Sequence, residues 1–321
     1  MSINFIENLS DKLFYEIFDY LDGCEIYHAF SNLNYRFQQL INSSSLLIKL
    51  KLNYSCSKEI FVNNYQQVLH LNKDQIFSIL LWLSENTNQI TSSLNIDSSF
   101  IRLESLIFNA IEADLLTTLL PKLICLLRLF SLIINTWSTQ KELGDTYRLI
   151  FNLPKLKYIK YTAMESNDID ITISLPIATN EQLTSIEHLI IDHPCAIDEL
   201  FAITSYTPHL RRLRFLSLTD RNVNIRNLKP IILENLAHVS IYIYSTMSFN
   251  IFQIFISNLN SKIKFVSLTT IVEDINYLDA HQWENFILNT VHILQKIMKP
   301  RCILDNVINL FHHFGFNDDG H

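Results

Sequence analysis

A short pattern of large apolar residues returns along most of the chain. It has the form L-x-x-L-x-[large apolar], and residues 210–215 (LRRLRF) are one copy. Eight copies begin at residues 76, 103, 129, 156, 186, 210, 236 and 263. Leu and Ile are abundant here, so a single copy carries little weight. Eight copies at a nearly constant step predict a structural repeat.

The residues between successive copies carry helical patterns. Residues 111–120 and 251–259 each place apolar side chains on one helical stripe. A strand and a helix in every unit of about 27 residues resembles the leucine-rich-repeat family. The resemblance implies an α/β horseshoe solenoid of about eight divergent repeats, with parallel strands on its concave wall. Trp137 and Leu218 stand where that family usually has Asn or Cys, so we expect irregular repeats.

Alternation along each strand assigns side chains to the two sides of the predicted sheet. We assign positions 3 and 5 of the pattern to the interior and positions 2, 4 and 6 to the open concave side. The candidate target-binding residues on the concave side are Tyr158, Lys160, His188, Arg212, Arg214, His238, Tyr242 and Phe265. Arg212 and Arg214 lie two residues apart on one strand, so their guanidinium groups would project together and suit an acidic or phosphorylated peptide. An ordinary solvated face is the alternative.

The segment 9–41 has a different, helical pattern. Ser10 is predicted to cap a first helix that ends at residues 22–23 (DG), and a second helix is predicted over about 25–41. The stripe of the first helix consists of Leu13, Ile17, Tyr20 and Leu21. A piece of this size is too small to be stable alone, so it must pack on its own continuation, on a partner, or on both.

Two stretches of this segment resemble the F-box family. Residues 9–22 (LSDKLFYEIFDYLD) resemble its opening, L-P-x-E-[apolar]₃-x-I-F-x-Y-L, and residues 33–41 (LNYRFQQLI) resemble its second half. Ser10 stands where the family usually has Pro, and Phe37 where it usually has Trp. The resemblance implies a small all-helical domain that binds the Skp-type adaptor of cullin–RING ubiquitin ligases. The adaptor-binding residues it implies are Leu9, Ile17, Leu21, Leu33 and Phe37. A helical cap closing a repeat array is the alternative.

These patterns divide the chain into four predicted parts within an α/β fold class. The predicted parts are an F-box-like helical domain (1–45), a linker or N-terminal cap (46–75), leucine-rich repeats (76–278), and a C-terminal helical cap with a loose tail (279–321). Within the last part, residues 279–298 are predicted to be helical.

Composition and charge narrow the possible partners. The five cysteines are scattered without a C-x-x-C pair, which is typical of reduced thiols and favours a cytoplasmic or nuclear protein. The longest apolar run, residues 123–134, is too short to span a bilayer, so we expect no membrane partner. The net charge is −7, and residues 1–25 carry most of it, with six acids against one base. No global field favours nucleic acid.

The motifs of common enzymes and metal sites are missing from the sequence. Four glycines cannot supply a phosphate loop, and no H-E-x-x-H, G-x-S-x-G or zinc-finger spacing occurs. We therefore predict no catalytic residues, no metal ligands and no cofactor. An enzyme with an unrecognised site would need a deep polar pocket with perturbed titratable groups.

The resulting hypothesis is a non-catalytic substrate receptor of a Skp–cullin–F-box ubiquitin ligase. Its F-box would bind the adaptor and through it a cullin, and its repeats would bind an unidentified target protein. The alternative is a leucine-rich-repeat scaffold for protein interactions with no ligase role.

Overall fold

The structure, a computed structural model, divides into two compact units. It describes residues 6–53, 73–83, 96–137, 141–164, 171–219, 231–243, 247–259, 263–270, 274–290, 296–297 and 301–302. The first unit comprises Met1–Thr139, Asn152–Ile159 and Ala163–Glu165, and the second comprises Gln140–Phe151, Lys160–Thr162 and Ser166–His321.

The first unit begins with helices and continues as a parallel sheet. Its helices are α1 (Asp11–Phe18), α2 (Gly23–Phe30), α3 (Tyr35–Ile41) and α4 (Ala113–Leu119). Its strands are β1 (Ile48–Asn53), β2 (Ile76–Trp82), β3 (Ser105–Ile111) and β4 (Ser131–Trp137). Each of these strands pairs in parallel with the next. Strand β5 (Tyr158–Met164) has residues in both units.

The second unit repeats the same alternation. Its helices are α5 (Gly144–Phe151), α6 (Ile197–Ser205), α7 (Phe249–Asn258) and α8 (Ala280–Thr290). Its strands are β6 (His188–Ala196), β7 (Arg212–Thr219), β8 (His238–Ile243), β9 (Phe265–Thr270), β10 (Lys296–Ile297) and β11 (Arg301–Cys302). Strands β6 to β9 pair in parallel in chain order, and β10 and β11 both pair with β9.

The strands coincide with the repeated apolar pattern, but our assignment of its two sides was wrong. Leu210, Leu213 and Phe215, at positions 1, 4 and 6, are buried, whereas Arg212 and Arg214, at positions 3 and 5, are exposed. Positions 4 and 6 are two residues apart, so they share one side of the strand, and their large apolar side chains must face the core. The eight candidate target-binding residues occupy positions 3, 5 and 7 and therefore lie on the open side.

A recurring backbone contact fixes the register between successive repeats. The N–H groups of Ala237 and His238 both donate to the carbonyl of Arg211, at 3.0 and 3.1 Å. One repeat later, Lys264 and Phe265 donate in the same way to the carbonyl of Ala237, at 2.9 and 3.0 Å. These contacts pair backbone groups just before each strand, so side chains at equal pattern positions line up across neighbouring strands.

The predicted fold class is wrong, above all at the N terminus. The structure is α/β, but the described residues show no clear, separate all-helical F-box domain. Helices α1 to α3 belong to the same unit as β1 to β4, and α2 lies against β1. Strand β1 falls within the predicted linker. Its alternation of buried Ile48, Leu50 and Leu52 with exposed lysines is a strand signal that the 27-residue period did not cover.

The helices also depart from the predicted one per repeat. Between β5 and β6, the described residues 171–187 hold no α-helix, only the short 3₁₀ turn Asn180–Gln182. The C-terminal cap is not purely helical, because α8 ends at Thr290 and two short strands follow it along β9. The tail from residue 303 lies outside the described residues.

The caps explain the helix boundaries of the N-terminal segment. Ser10 caps α1 as predicted, accepting from the N–H of Leu13 at 3.4 Å. Asp22 does not simply end a helix but starts α2, in a capping box with Glu25 that satisfies backbone N–H groups in both directions. Asn34 caps a third helix by accepting from the N–H of Phe37, so the predicted second helix is in fact two.

Gln75, just before β2, is hydrogen-bonded to the backbone at the C-terminal end of α3. Its buried Nε2 donates to the carbonyls of Ile41 (3.2 Å) and Ser43 (2.5 Å). We predict that Gln75→Ala lowers the free energy of unfolding by roughly 1–3 kcal/mol, because both carbonyls lose their donor. Urea unfolding measures this. The exposed Gln39→Ala in α3 is the matched control and should change stability by less than about 0.5 kcal/mol. Equal effects of the two variants would contradict the assignment.

Candidate protein-binding surfaces

An aromatic cluster holds the three N-terminal helices together. Phe14 and Phe18 of α1, Phe30 of α2 and Phe37 of α3 pack with ring centroids between 4.8 and 6.3 Å apart. The shortest separation joins Phe14 to Phe37 in an edge-on arrangement. Aromatic pairs of this geometry add to the hydrophobic stabilisation that burial provides. The cluster therefore fixes which side chains the helices leave outside.

Arg36 adds a polar link between α3 and the start of α1. Its Nε donates to the carboxylate of Asp11 at 2.9 Å, and a terminal nitrogen donates to the carbonyl of Leu9 at 2.5 Å. The guanidinium also lies 5.4 Å from the centre of the Phe14 ring. Leu9, a candidate adaptor-binding residue, is thus held at the N terminus of α1 with its side chain half-buried.

Helix α1 has two apolar faces, and the core uses one of them. Phe14 and Phe18 point inward, whereas Leu13 and Ile17 are left partly accessible. We call Leu13 and Ile17, together with the half-buried Leu21 just beyond the end of the helix, the α1 stripe. A soluble helix normally has one apolar face, directed at its own core. A second one is the feature of a helix that packs against something further.

The remaining candidate adaptor residues divide between surface and core. Leu33 is 54% exposed, but Phe37 is fully buried, so its contacts are internal to the helices. Sequence reasoning did not name two further exposed aromatic side chains, Tyr20 (89%) and Tyr35 (74%), as candidates. The sequence had placed Tyr20 on the predicted stripe with Leu13 and Ile17, and that spacing was the signal that could have made it a candidate.

The second unit gathers four of the candidate target-binding residues in one line. His188, Arg212, His238 and Phe265 are register partners across β6, β7, β8 and β9. We call these four the cross-strand row. Neighbouring strands lie about 4.8 Å apart, so the row spans roughly 14 Å. Arg214 lies next to the row on β7, opposite Ile190 and Ser240.

The nearby acids of the second unit are engaged elsewhere. Asp192 accepts from Lys160 at 2.9 Å, and Glu187 pairs with Arg211 at 3.3 Å. Among the described residues, none forms an ion pair with Arg212 or Arg214, and both arginines are exposed. The open side of β7 therefore presents two positive charges that no described residue neutralises through an ion pair. Lys160, although predicted to bind the target, is already paired.

The two histidines of the row differ in their surroundings. Burial, and then the positive charge of Arg212, lowers the pKa of His188 below its ordinary value. His238 is exposed and its ring lies 5.9 Å from that of Phe265. Along the row, the cationic Arg212 of β7 is therefore followed by the aromatic rings of His238 on β8 and Phe265 on β9.

Two candidates lie apart from the row. Tyr242 is half-buried further along β8, opposite Thr269 of β9. Tyr158 of β5 belongs to the first unit. The open side of that unit has a different chemistry, because its in-register Leu80, Ile107 and Ile133 are apolar. The second unit thus carries Arg212 and Arg214 on this side of its strands, whereas the first unit carries the exposed Lys49 and Lys51 on β1, where Lys51 is the register partner of Leu80.

The most perturbed histidine of the described residues is not at a surface. His193 is fully buried against Tyr147, and burial lowers its pKa to about 4. An open groove of about 390 Å³ lies elsewhere, between α7 and α8, and is lined mainly by amide side chains such as Asn250, Gln253 and Asn285. His193 does not line this groove.

The part of the chain that the structure describes contains neither a cluster of metal-binding side chains nor a membrane-spanning helix. No group of three His, Cys, Asp or Glu side chains there could hold a metal ion. No helix there combines the length and the apolar character that a membrane crossing requires.

Compared with known proteins, the chain matches no protein-family model and no curated protein. The F-box and leucine-rich-repeat likenesses thus rest on the residues quoted above.

Proposed function

We propose that the protein is a non-catalytic substrate receptor of a cullin–RING ubiquitin ligase in the cytoplasm or nucleus. Its N-terminal helices bind a Skp-type adaptor, and the open strand side of the second unit binds the target. The receptor acts by proximity, because holding the target near the conjugating enzyme raises its effective concentration.

The observation that supports this proposal is the second apolar face of α1. The α1 stripe and the exposed Leu33 lie in the two stretches whose sequence resembles an F-box. Burying such side chains in the groove of a partner supplies affinity. Such binding does not require a separate all-helical domain, because α2 can pack on β1 while the α1 stripe stays at the surface.

A scaffold without a ligase role is the second candidate, and the packing of α2 on β1 favours it. In that function the N-terminal helices cover the first strand of the sheet and bind no adaptor. Deleting residues 1–45 would not separate the two candidates, because it would uncover β1 in either case. Point substitutions on the exposed side are the sharper test.

The test compares two leucines of the first unit that are both on the surface. We predict that Leu33→Asp weakens binding of the full-length protein to a Skp-type adaptor by about tenfold or more, the effect of losing an interface anchor. Leu127→Asp, at a leucine that is 72% exposed and far along the chain from α1, α2 and α3, should leave binding unchanged. Calorimetric titration measures the affinity, and thermal melting verifies that both variants fold. If the unmodified protein binds no adaptor, or both variants bind equally, the receptor proposal fails and the scaffold is favoured.

A further inference from the structure

Arg212 and Arg214 stand out from the other arginines. Arg36, Arg128, Arg148 and Arg211 each pair with a carboxylate, and Arg102 donates to the carbonyl of Ser44. Every other arginine whose side chain the structure describes therefore has a protein partner. The two that lack an ion-pair or hydrogen-bond partner among the described residues are neighbours on the same side of one strand.

Their spacing suits an anion that can accept from both. Side chains two residues apart on one side of a strand are separated by about 6.6–7 Å, a distance that flexible arginine side chains can close around a shared group. His188 and His238 flank Arg212 in register, one strand away on either side. The four side chains form a compact patch of potential donors.

The number of donors favours phosphate over carboxylate. A single arginine already satisfies a carboxylate through two parallel hydrogen bonds. A phosphate monoester carries a charge near −2 and three strong acceptor oxygens, so it uses two guanidinium forks and a neighbouring imidazole. We infer that Arg212 and Arg214 bind a phosphorylated side chain of the target, an inference that rests on the target-binding role proposed above.

Phe265 gives the bound segment a second contact. It lies two strands beyond Arg212 in the same register row, about 9.5 Å away. A polyproline II segment advances about 3.1 Å per residue and returns to the same face every third residue, so three residues cover this separation. The ligand is therefore an extended phosphopeptide with an apolar side chain three residues from the phosphorylated one.

Charge argues against a nucleic acid as the occupant. The chain has a net charge of −7, and Glu187 and Asp192 lie on or beside β6, next to the row. A polyanion that tracks along a surface needs a basic stripe, whereas this patch matches one phosphate group.

The experiment uses the full-length protein and a labelled synthetic peptide with one phosphoserine and a leucine three residues to either side. Fluorescence anisotropy should show binding that Arg212→Ala and Arg214→Ala each weaken about tenfold, the loss expected for a charge-assisted hydrogen-bonding partner. Arg148→Ala, the same charge change on helix α5 of the same unit, should alter it by less than about twofold. Replacing the peptide leucines by alanine should weaken binding several-fold.

Three results would overturn the inference. These are equal affinity for the peptides with phosphoserine and with glutamate, equal weakening by Arg148→Ala and by the two strand variants, and stronger competition by a single-stranded oligonucleotide than by the phosphopeptide. Thermal melting of each variant separates lost binding from lost folding. Because no adaptor is present, failure here leaves the adaptor test of the receptor role untouched.

Discussion

Replacing Phe37 by alanine should lower the free energy of unfolding by about 3–5 kcal/mol. Phe37 is fully buried and contacts the rings of Phe14 and Phe30, at 4.8 and 5.3 Å between centroids. Truncation removes buried apolar surface and leaves a cavity among three short helices. Urea unfolding followed by circular dichroism measures the loss.

The matched control is Tyr35→Ala, two residues earlier in the same helix. Tyr35 is an aromatic residue of similar size that is 74% exposed, so its truncation should change stability by no more than about 0.5 kcal/mol. Comparable losses at both positions would mean that the Phe cluster is not the core of the segment. Phe37→Ala should also weaken adaptor binding, but indirectly through loss of folding, whereas Leu33→Asp should weaken it without loss of stability.

The repeated pattern located the strands because each copy buries three large apolar side chains. Leu210, Leu213 and Phe215 show this, and residues at equal positions of successive copies pair in register, as the cross-strand row does. Strand β1 was missed because its alternation of Ile, Leu and Lys lies outside that step. A repeat period predicts the strands that recur at that step, but it does not predict a strand such as β1 that lies outside it.

The candidate sites were harder to predict because they depend on long-range packing. On α1, Leu13 and Ile17 form as good a stripe as Phe14 and Phe18, and only the positions of Phe30 and Phe37 decide which one is buried. Likewise, the sequence placed Arg212 and Arg214 on one side of a strand. That no described residue forms an ion pair with them depends on where residues far along the chain fold.

The second large effect that we expect concerns pH and the buried His193. Its Nδ1 lies 2.9 Å from the carbonyl of Pro194, which can only accept, so Nδ1 carries the proton of the neutral ring. Its Nε2, 2.7 Å from the hydroxyl of Tyr147, must therefore accept a hydrogen bond from that group. A second proton on Nε2 would reverse this bond, with the ring donating to the hydroxyl, and would place a charge in the core.

Burial accordingly lowers the pKa of His193 from 6.5 in the unfolded chain to about 4 in the folded one. Between these values the unfolded state binds a proton that the folded state does not. The neutral, buried ring therefore makes its full contribution to stability above about pH 6.5. This contribution is lost as the pH falls, and the loss reaches roughly 3 kcal/mol at pH 4. Acid should destabilise the second unit well before most carboxylates are protonated.

The measurement is the free energy of unfolding in urea at several pH values from 7.5 to 4, approximate limits that bracket both pKa values. His193→Gln removes the titrating group, so the difference between this variant and the unmodified protein isolates its contribution from that of the carboxylates. The variant is less stable at neutral pH, since it loses hydrogen bonds, but its stability declines less steeply on acidification. His209→Gln, at an exposed histidine of the same unit, should keep the original pH dependence. Parallel curves for His193→Gln and the unmodified protein would show that the imidazole is not buried in its neutral form.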